Sequence, residues 1–592
     1  MTAKGGAEVP SSAMPDRAAP FVEQSELGRD FRNPDPGSTV FAPFLRGYAV
    51  RLLALAACAL AIRGDSTANE LFLQQDLPVI GLSVALLLCL SAWPHLLRNI
   101  PAVSPPRHMP ALLVGLVFVV AASGTWLVFG NFDLTRDEFM ANFDADVFAS
   151  GRRAWPIAAE WRPFSDALMP LFMRGIPVEA GWISNYLPGN ALLRALAQLT
   201  IGREFASPAM AAVAALATWR IARTLWPQSP RRALIPVLLL TLSPQFLVTA
   251  MTPFAATSHL AFNLLWLLCF LQDNRRGDAC ALAFGFVATG LHQILFHPLF
   301  VAPFIVELLI ARRFRRAGLF IAGYGLISLF WALYPQLFQP LASTVSEGGR
   351  GATDGLSQLA GTIVMLLSTF KISNILLMLL NLLRFAAWQH ILLLVLVGCA
   401  WPAIKQAQGI ARPLLAGVVL LLIATFILIP EQGHGWGYRY LHGFLGSFCL
   451  LAGYGWQRFD RFADERRAAL MLTTAAMAVL VMPFQMIRTH NLVAPYRTAS
   501  AAIRSSGGDV VLIDGSAIPF TVNLVRNAAL PDGGPKVMDL QTLSGSQVID
   551  LCARYDVRLF DARHALKAGI ALMPLTAATP APAIGCGKPL PL

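Results

Sequence analysis

Long apolar runs alternate along this chain with short breaks that carry arginine, glycine and proline. A membrane-spanning helix needs about 20 mostly apolar residues, because lipid cannot satisfy a bare backbone. The runs predict thirteen spans, at 48–62, 78–97, 110–130, 207–225, 233–252, 257–272, 279–291, 298–311, 318–337, 388–404, 413–430, 441–456 and 468–486. Arg51 makes the first of these the weakest. Two more apolar stretches, 187–201 and 373–385, are interrupted by Arg194 and Gln198 and by Asn374, Asn381 and Arg384. They are expected to lie as amphipathic helices at the outer interface. The fold class is an all-α polytopic membrane protein.

The ends differ from the middle. Residues 1–39 are polar and rich in Pro, Gly and Ser, with no apolar run to act as a cleavable signal, and read as a disordered tail. Beyond Ile487 the pattern changes to short alternating segments: Asp509 to Asp514, Phe520 to Val525 and Val557 to Phe560, with a helical stretch near Ser546 to Tyr555. That mixture predicts a small α/β domain. The expected organisation is a cytoplasmic tail at 1–45, two N-terminal transmembrane helices at 46–109, and a transmembrane core at 110–487 with an outer loop at 131–206. A periplasmic domain follows at 488–592.

Only 14% of the 592 residues are charged, against about 25% in soluble domains. The net charge of +12 is carried by arginines between apolar runs, which reads as membrane topology and not as nucleic-acid binding. With the N-terminus inside, the inner loops collect Arg220, Arg223, Arg231, Arg232, Arg275, Arg276, Arg312, Arg313, Arg315 and Arg316. The outer turns at 253–256 and 292–297 hold no basic Lys or Arg. An odd number of spans places the C-terminal domain outside. Six cysteines lie in apolar runs as small hydrophobes, while Cys552 and Cys586 in the tail are a disulfide or two separate thiols.

Candidate chemistry collects at the outer ends. Asp133, Asp137, Glu138, Asp144 and Asp146 follow directly on a span. A carboxylate at the mouth of a partly dry cavity can take a proton. On a helix from Asp137, residues 137, 141, 144 and 148 share a face, so Asp137 and Asp144 point together; the bland alternative is a solvated acidic loop. The segment Glu431 to His442 packs glycines, aromatics, His434, Arg439, Tyr440 and His442 between two spans, and the arginine fork suits phosphate oxygens. His292 and His297 bracket another outer turn. His292, His297, His434 and carboxylates are also conceivable metal ligands, although no spacing singles out a site. Glu307 lies inside a span and needs a partner there.

Four segments together resemble the GT-C superfamily of membrane glycosyltransferases, on the branch with the bacterial aminoarabinose transferase and the protein O-mannosyltransferases. They are Asp137-Glu138 continued to Arg152, Asn185-Tyr-Leu-Pro-Gly189, Leu242-Ser-Pro-Gln-Phe246, and Gly437-Tyr-Arg-Tyr440. The likeness covers about 110–490. It departs in two extra N-terminal spans, one proline (Pro188) where two are common, and Phe139-Met140 where a basic residue follows the acidic pair. The resemblance implies a GT-C-like bundle in the inner membrane of a bacterium, with its active site facing the periplasm. It also implies inverting transfer of a sugar from a polyprenyl-phosphate donor to a hydroxyl on a glycan, lipid or protein. Asp137 is then the general base with Glu138 as fallback. Asp144, His292, His297, Arg439 and Tyr440 bind substrate, and no cofactor is required, a divalent metal staying open. The competing classes are a transporter or lipid flippase and a non-catalytic assembly protein, which favour internal repeats or mid-membrane charge over chemistry at one face.

Overall fold

Helix α1 (Phe41–Ala61), α2 (Asn69–Ala92) and α3 (Met109–Leu127) are apolar around most of their circumference. On α3, Val117 and Ala121 are buried while Leu112, Leu116, Val119 and Leu127 stay exposed. A water-soluble fold would not leave so much leucine uncovered, and lipid is the matching solvent. The computed structural model describes residues 41–61, 67–93, 106–168, 181–335, 372–429, 432–458, 463–529, 533–573 and 588–590. The expected N-terminal tail up to residue 40 and residues 336–371 lie outside them.

Helices α4 (Arg136–Ala149) and α5 (Gly189–Gln198) belong to the segment 131–206 expected as an outer loop, and α6 (Ala206–Leu225) re-enters the bundle. The run expected at 233–252 is broken into α7 (Pro230–Thr241) and α8 (Pro244–Ala250), bent by 59° where Ser243 caps the second piece. Then come α9 (Ala255–Phe270), α10 (Arg275–Thr289), α11 (Phe296–Ile310), α12 (Phe314–Leu333), α13 (Ile372–Ala387), α14 (Ala411–Leu428), α15 (Leu445–Trp456) and α16 (Arg466–Arg504). By length and composition, seven described helices can cross a membrane, or eight with the bent pair as one span. The other expected spans are shorter. Helix α9 has 16 residues with nearly every side chain buried, and the run at 388–404 is two pieces, Leu393–Cys399 and Trp401–Lys405. A helix enclosed by other helices is shielded by protein and need not match the bilayer thickness.

The two interrupted stretches form amphipathic helices. On α5, Leu192 and Leu196 face outward while Asn190 and Arg194 are buried. On α13, Asn381 and Arg384 are fully buried. Arg384 Nε meets Asp76 Oδ2 of α2 at 3.0 Å, Trp388 Nε1 donates to Asp76 Oδ1 at 2.6 Å, and Arg384 Nη2 donates to the Gly435 carbonyl at 3.0 Å. The N-terminal helices therefore reach the loop that carries Arg439. Removing one partner of a buried pair costs about 3–5 kcal/mol, so this tie is rigid. Glu307 on α11 has its partner in Arg412 of α14, at 3.6 Å.

Helix α16 continues 18 residues past the expected end at 486, because Val493, Tyr496, Ala499 and Ile503 are buried against neighbours beyond the apolar run. It leads into a sheet of β1 (Val510–Ile513), β2 (Lys536–Asp539), β3 (Val557–Phe560) and β4 (Lys588–Pro589), all parallel in the order β2-β1-β3-β4. Helices α17 (Gly545–Arg554) and α18 (Ala562–Ala568) accompany it. The segment Phe520 to Val525, expected among the strands, is a 3₁₀ turn at Thr521–Asn523 whose neighbouring carbonyls bind the outer loop. One core joins Met140, Phe143 and Val147 of α4 to Val510, Leu512, Met538 and Val557 of the sheet. The outer loop and the C-terminal segment thus fold as one unit. Cys552 is disulfide-bonded, and Cys586 lies outside the described residues.

Candidate active site

The acidic helix begins with a capping box. Thr135 Oγ1 accepts the Glu138 amide at 3.3 Å, and Glu138 Oε2 accepts the Thr135 amide at 2.7 Å. The reciprocal bonds satisfy two orphan donors and fix where α4 starts. The next contacts clamp that turn to the C-terminal domain. Arg136 Nη2 donates to the carbonyls of Val522 at 2.8 Å and Val525 at 2.6 Å, and the Arg136 amide donates to Asn523 Oδ1 at 3.1 Å. Arg526 donates to the carbonyls of Asp133 and Leu134 and covers the Phe132 ring at 4.2 Å. Asp137 therefore projects from a turn held on both flanks.

Asp137 Oδ1 accepts from the Tyr186 hydroxyl, and Oδ2 accepts from Arg439 Nη1 at 2.6 Å. Tyr186 stacks on His292 with centroids 4.0 Å apart. Its position follows from the Tyr-Leu-Pro-Gly segment: the Leu187 and Gly189 amides donate to the carbonyls of His292 at 3.0 Å and Gly290 at 2.8 Å. A Cβ on Gly189 would sit 2.7 Å from the Gly290 oxygen, so only glycine allows that approach. Gln245 of the Ser-Pro-Gln-Phe segment donates to the Tyr438 carbonyl at 2.9 Å. Gln432 donates to the Gly437 carbonyl and accepts the Arg439 amide, both at 2.9 Å. Gly437 has φ +66°, and a Cβ there would meet Gln245 Oε1 at 2.5 Å. All four sequence segments meet around one opening.

That opening leads to a cavity of about 190 Å³ whose polar lining includes Asp137, Tyr186, His292, Gln293, Arg439 and Tyr440. Phe254, Ala255, Ala256, Phe296, Trp436 and Phe444 are among its apolar side chains. The wall therefore offers charged and apolar surface to one ligand, as an amphiphilic ligand requires. Arg439 lies over the rings of Phe254 and Tyr440. Its Nη1 holds Asp137 while its Nε stays without a hydrogen-bond partner among the described residues.

Burial alone would raise the Asp137 carboxyl, but Arg439, His292 and the Tyr186 hydrogen bond outweigh it and hold the group below its ordinary value. Asp137 is therefore ionised at pH 7. Burial lowers His292 to about 4, with Asp137 opposing and Arg439 assisting, so its ring is neutral at pH 7. Arg439 is held above its ordinary value: burial works against its charge, and Asp137 overrides it.

The other expected site residues lie elsewhere. Glu138 is fully buried in the capping box and does not reach the cavity. Asp144 shares a face with Asp137 as expected, yet it is occupied by the Ser184 hydroxyl and by the Ser184 amide at 3.2 Å. Asp146 accepts from Arg203 at 3.0 Å. His297 is buried one layer behind, bonded to Asn263 at 2.6 Å and to the Tyr324 hydroxyl at 2.7 Å, and touches the cavity only through Asn263. His434 packs against Phe520 and does not converge with His292 or His297. No group of three His, Cys, Asp or Glu side chains gathers among the described residues. Sequence reasoning missed Tyr186 and His259 as site residues. Tyr186 stood inside a quoted motif, whereas His259 is a lone histidine in an apolar run, with no local signal for its facing a cavity.

Glu138 gives a pH-dependent expectation. Burial raises its carboxyl to about 8 against an ordinary 4.5, the Thr135 amide opposing, and its Oε1 has no partner among the described residues. The folded protein keeps this proton where the unfolded chain has released it. The resulting stability is full below pH 4.5 and is lost as pH rises toward about 8. The wild-type melting temperature should fall between pH 5 and 8 more steeply than that of Glu138→Gln, with transfer activity retained in the variant. Equal slopes would show that Glu138 does not titrate in this way.

No protein-family model matches the sequence, and no curated protein matches it at significance. Among solved structures, the chain is similar to ArnT from Cupriavidus metallidurans in the apo state, at 14% identity and TM-score 0.45, over 70% of this chain and 83% of that one. It is also similar to ArnT from the same organism bound to undecaprenyl phosphate, at 13% identity and TM-score 0.46, over 71% of this chain and 85% of that one.

Proposed function

We propose that the protein is a membrane glycosyltransferase that moves a sugar from a polyprenyl-phosphate donor to an acceptor hydroxyl at the outer face of a bacterial inner membrane. The observation that carries this reading is the Asp137–Arg439 pair in the wall of a cavity that also presents aromatic and aliphatic side chains. The apolar side chains suit an isoprenyl chain, the arginine suits its phosphate, and the carboxylate suits an incoming hydroxyl. The disulfide at Cys552 fits an oxidising compartment for the C-terminal domain.

Each member of the pair neutralises the other, so neither charge is buried alone. A donor phosphate offers Arg439 a second oxyanion and loosens its hold on Asp137 Oδ2. The acceptor oxygen then attacks the anomeric carbon while Asp137 takes its proton. The bond from that carbon to the phosphate oxygen breaks, and its electron pair leaves with polyprenyl phosphate, where Arg439 meets the growing charge. Attack opposite the leaving group inverts the anomeric centre. A phosphate leaves without protonation by a strong acid, so one carboxylate is enough, unlike the pair used in glycoside hydrolysis.

The test is a transfer assay with purified protein and polyprenyl-phosphate-linked sugars. Polyprenyl phosphate should be released in step with a new glycoside of opposite anomeric configuration. A product of retained configuration would reject direct displacement. Passage of the intact donor across a vesicle, with no glycosidic bond broken, would favour a flippase instead.

A further inference from the structure

A second and larger cavity lies at the opposite ends of the helices that carry the candidate active site. It has a volume of about 1000 Å³ and is bounded by the start of α3, the end of α6, the start of α7, the end of α15 and the start of α16. Helix α3 begins here at Met109 and runs to Leu127, just before Asp137, so the two cavities face opposite sides of the bundle. Six arginines line it: Arg107, Arg220, Arg223, Arg231, Arg232 and Arg466. No carboxylate stands among the described residues of its wall. An adjoining hollow of about 490 Å³ shares Arg220 and Arg223 and extends to Leu268 and Leu271 of α9 and its end.

Asymmetry of loop charge explains why arginines occur at this face. It does not explain their convergence on one concavity, nor the aromatic surfaces beside them. Arg232 lies 4.3 Å over the Trp226 ring and donates to the Gly453 carbonyl at 3.0 Å, and Arg466 lies 4.6 Å over Trp456 and donates to its carbonyl at 2.8 Å. These two are fixed in place as part of the wall. Arg223 Nη1 is buried and has no hydrogen-bond partner among the described residues. A buried guanidinium arm without an acceptor is costly unless an anion completes it. Apolar side chains such as Leu268 and Leu271 adjoin the basic wall, so a ligand with an oxyanion and a hydrocarbon portion fits both surfaces.

We infer that this cavity binds a phosphate-bearing anion, the headgroup of an anionic phospholipid in the leaflet opposite the active site. Basic hollows between helix ends hold such headgroups, since each well-placed cation adds to the attraction for an anionic lipid. The site is independent of the transfer reaction proposed above.

Lysine substitution separates this idea from topology alone. Arg220→Lys with Arg223→Lys keeps the charge that orients the protein but removes the planar fork that grips two phosphate oxygens. Native mass spectrometry of the purified protein, titrated with phosphatidylglycerol or phosphatidylcholine, should show about a tenfold preference for phosphatidylglycerol. The double lysine variant should lose most of that preference, while Arg439→Ala, at the other face, should keep it. Inorganic pyrophosphate in the buffer identifies the source. Failure to displace the lipid supports a headgroup site, whereas binding of pyrophosphate without preference among lipids would reject the lipid assignment. Equal binding of both phospholipids with no pyrophosphate bound, or an unchanged preference in the double lysine variant, would overturn the inference.

Discussion

Asp137→Asn should insert and fold normally, bind a polyprenyl-phosphate sugar, and transfer it about 10²–10⁴-fold more slowly, the usual contribution of a general base. Asparagine keeps the size of the side chain and one oxygen, which can accept from the Tyr186 hydroxyl or from Arg439 but not from both, since they donate to separate oxygens of Asp137. It removes the only property the mechanism needs, the capacity to accept a proton. The same substitution frees Arg439 from a competing carboxylate, so donor affinity should hold or improve while turnover collapses. Single-turnover transfer and equilibrium donor binding, measured side by side, resolve the two effects. A variant that lost donor binding in proportion to its rate would make Asp137 a binding residue. Near-normal turnover would remove it from catalysis altogether.

Arg439→Ala should lower transfer about 10²–10³-fold, the range for removing a group that meets transition-state charge, and Arg439→Lys should recover part of the loss. Two causes act together in the alanine variant. The phosphate loses its grip, since no other arginine or lysine lines this cavity among the described residues. Asp137 also loses the partner that holds its carboxyl below the ordinary value against burial. Its carboxyl must then rise, so the acid limb of the rate–pH profile should move to higher pH in Arg439→Ala and much less in Arg439→Lys. A profile that stays fixed while the rate falls would mean that Arg439 acts on the donor alone. Unchanged transfer in Arg439→Ala would exclude it from the site.

The apolar helices were legible because lipid imposes a demand that every segment must meet by itself, through length and composition. The amphipathic character of α5 and α13 was legible for a related reason: Arg194, Asn381 and Arg384 interrupt apolar runs at helical spacing, and they are the buried positions. The bend between α7 and α8 was harder to read, although Ser243-Pro244 marks a helix start. The role of Glu138 is legible in the same way. Thr135-x-x-Glu138 is a capping box, and its presence would have withdrawn Glu138 from the list of bases.

What this sequence determined alone is the membrane class, most of the helical segments, and the set of chemical groups gathered near the ends of apolar runs. Those follow from short-range rules in which the residue and its neighbours along the chain suffice. The tertiary structure decided which members of that set share a site. Asp137 and Arg439 are 302 residues apart, and nothing local distinguishes Asp137 from Asp144 until Tyr186 and Arg439 meet one while Ser184 occupies the other. His292 and His297 stand five positions apart, yet the first lines the cavity and the second bonds to Asn263 and Tyr324 behind it. The physical reason is burial: a polar group in a dry interior must find a partner, and only the folded chain shows whether that partner leaves it free for a substrate.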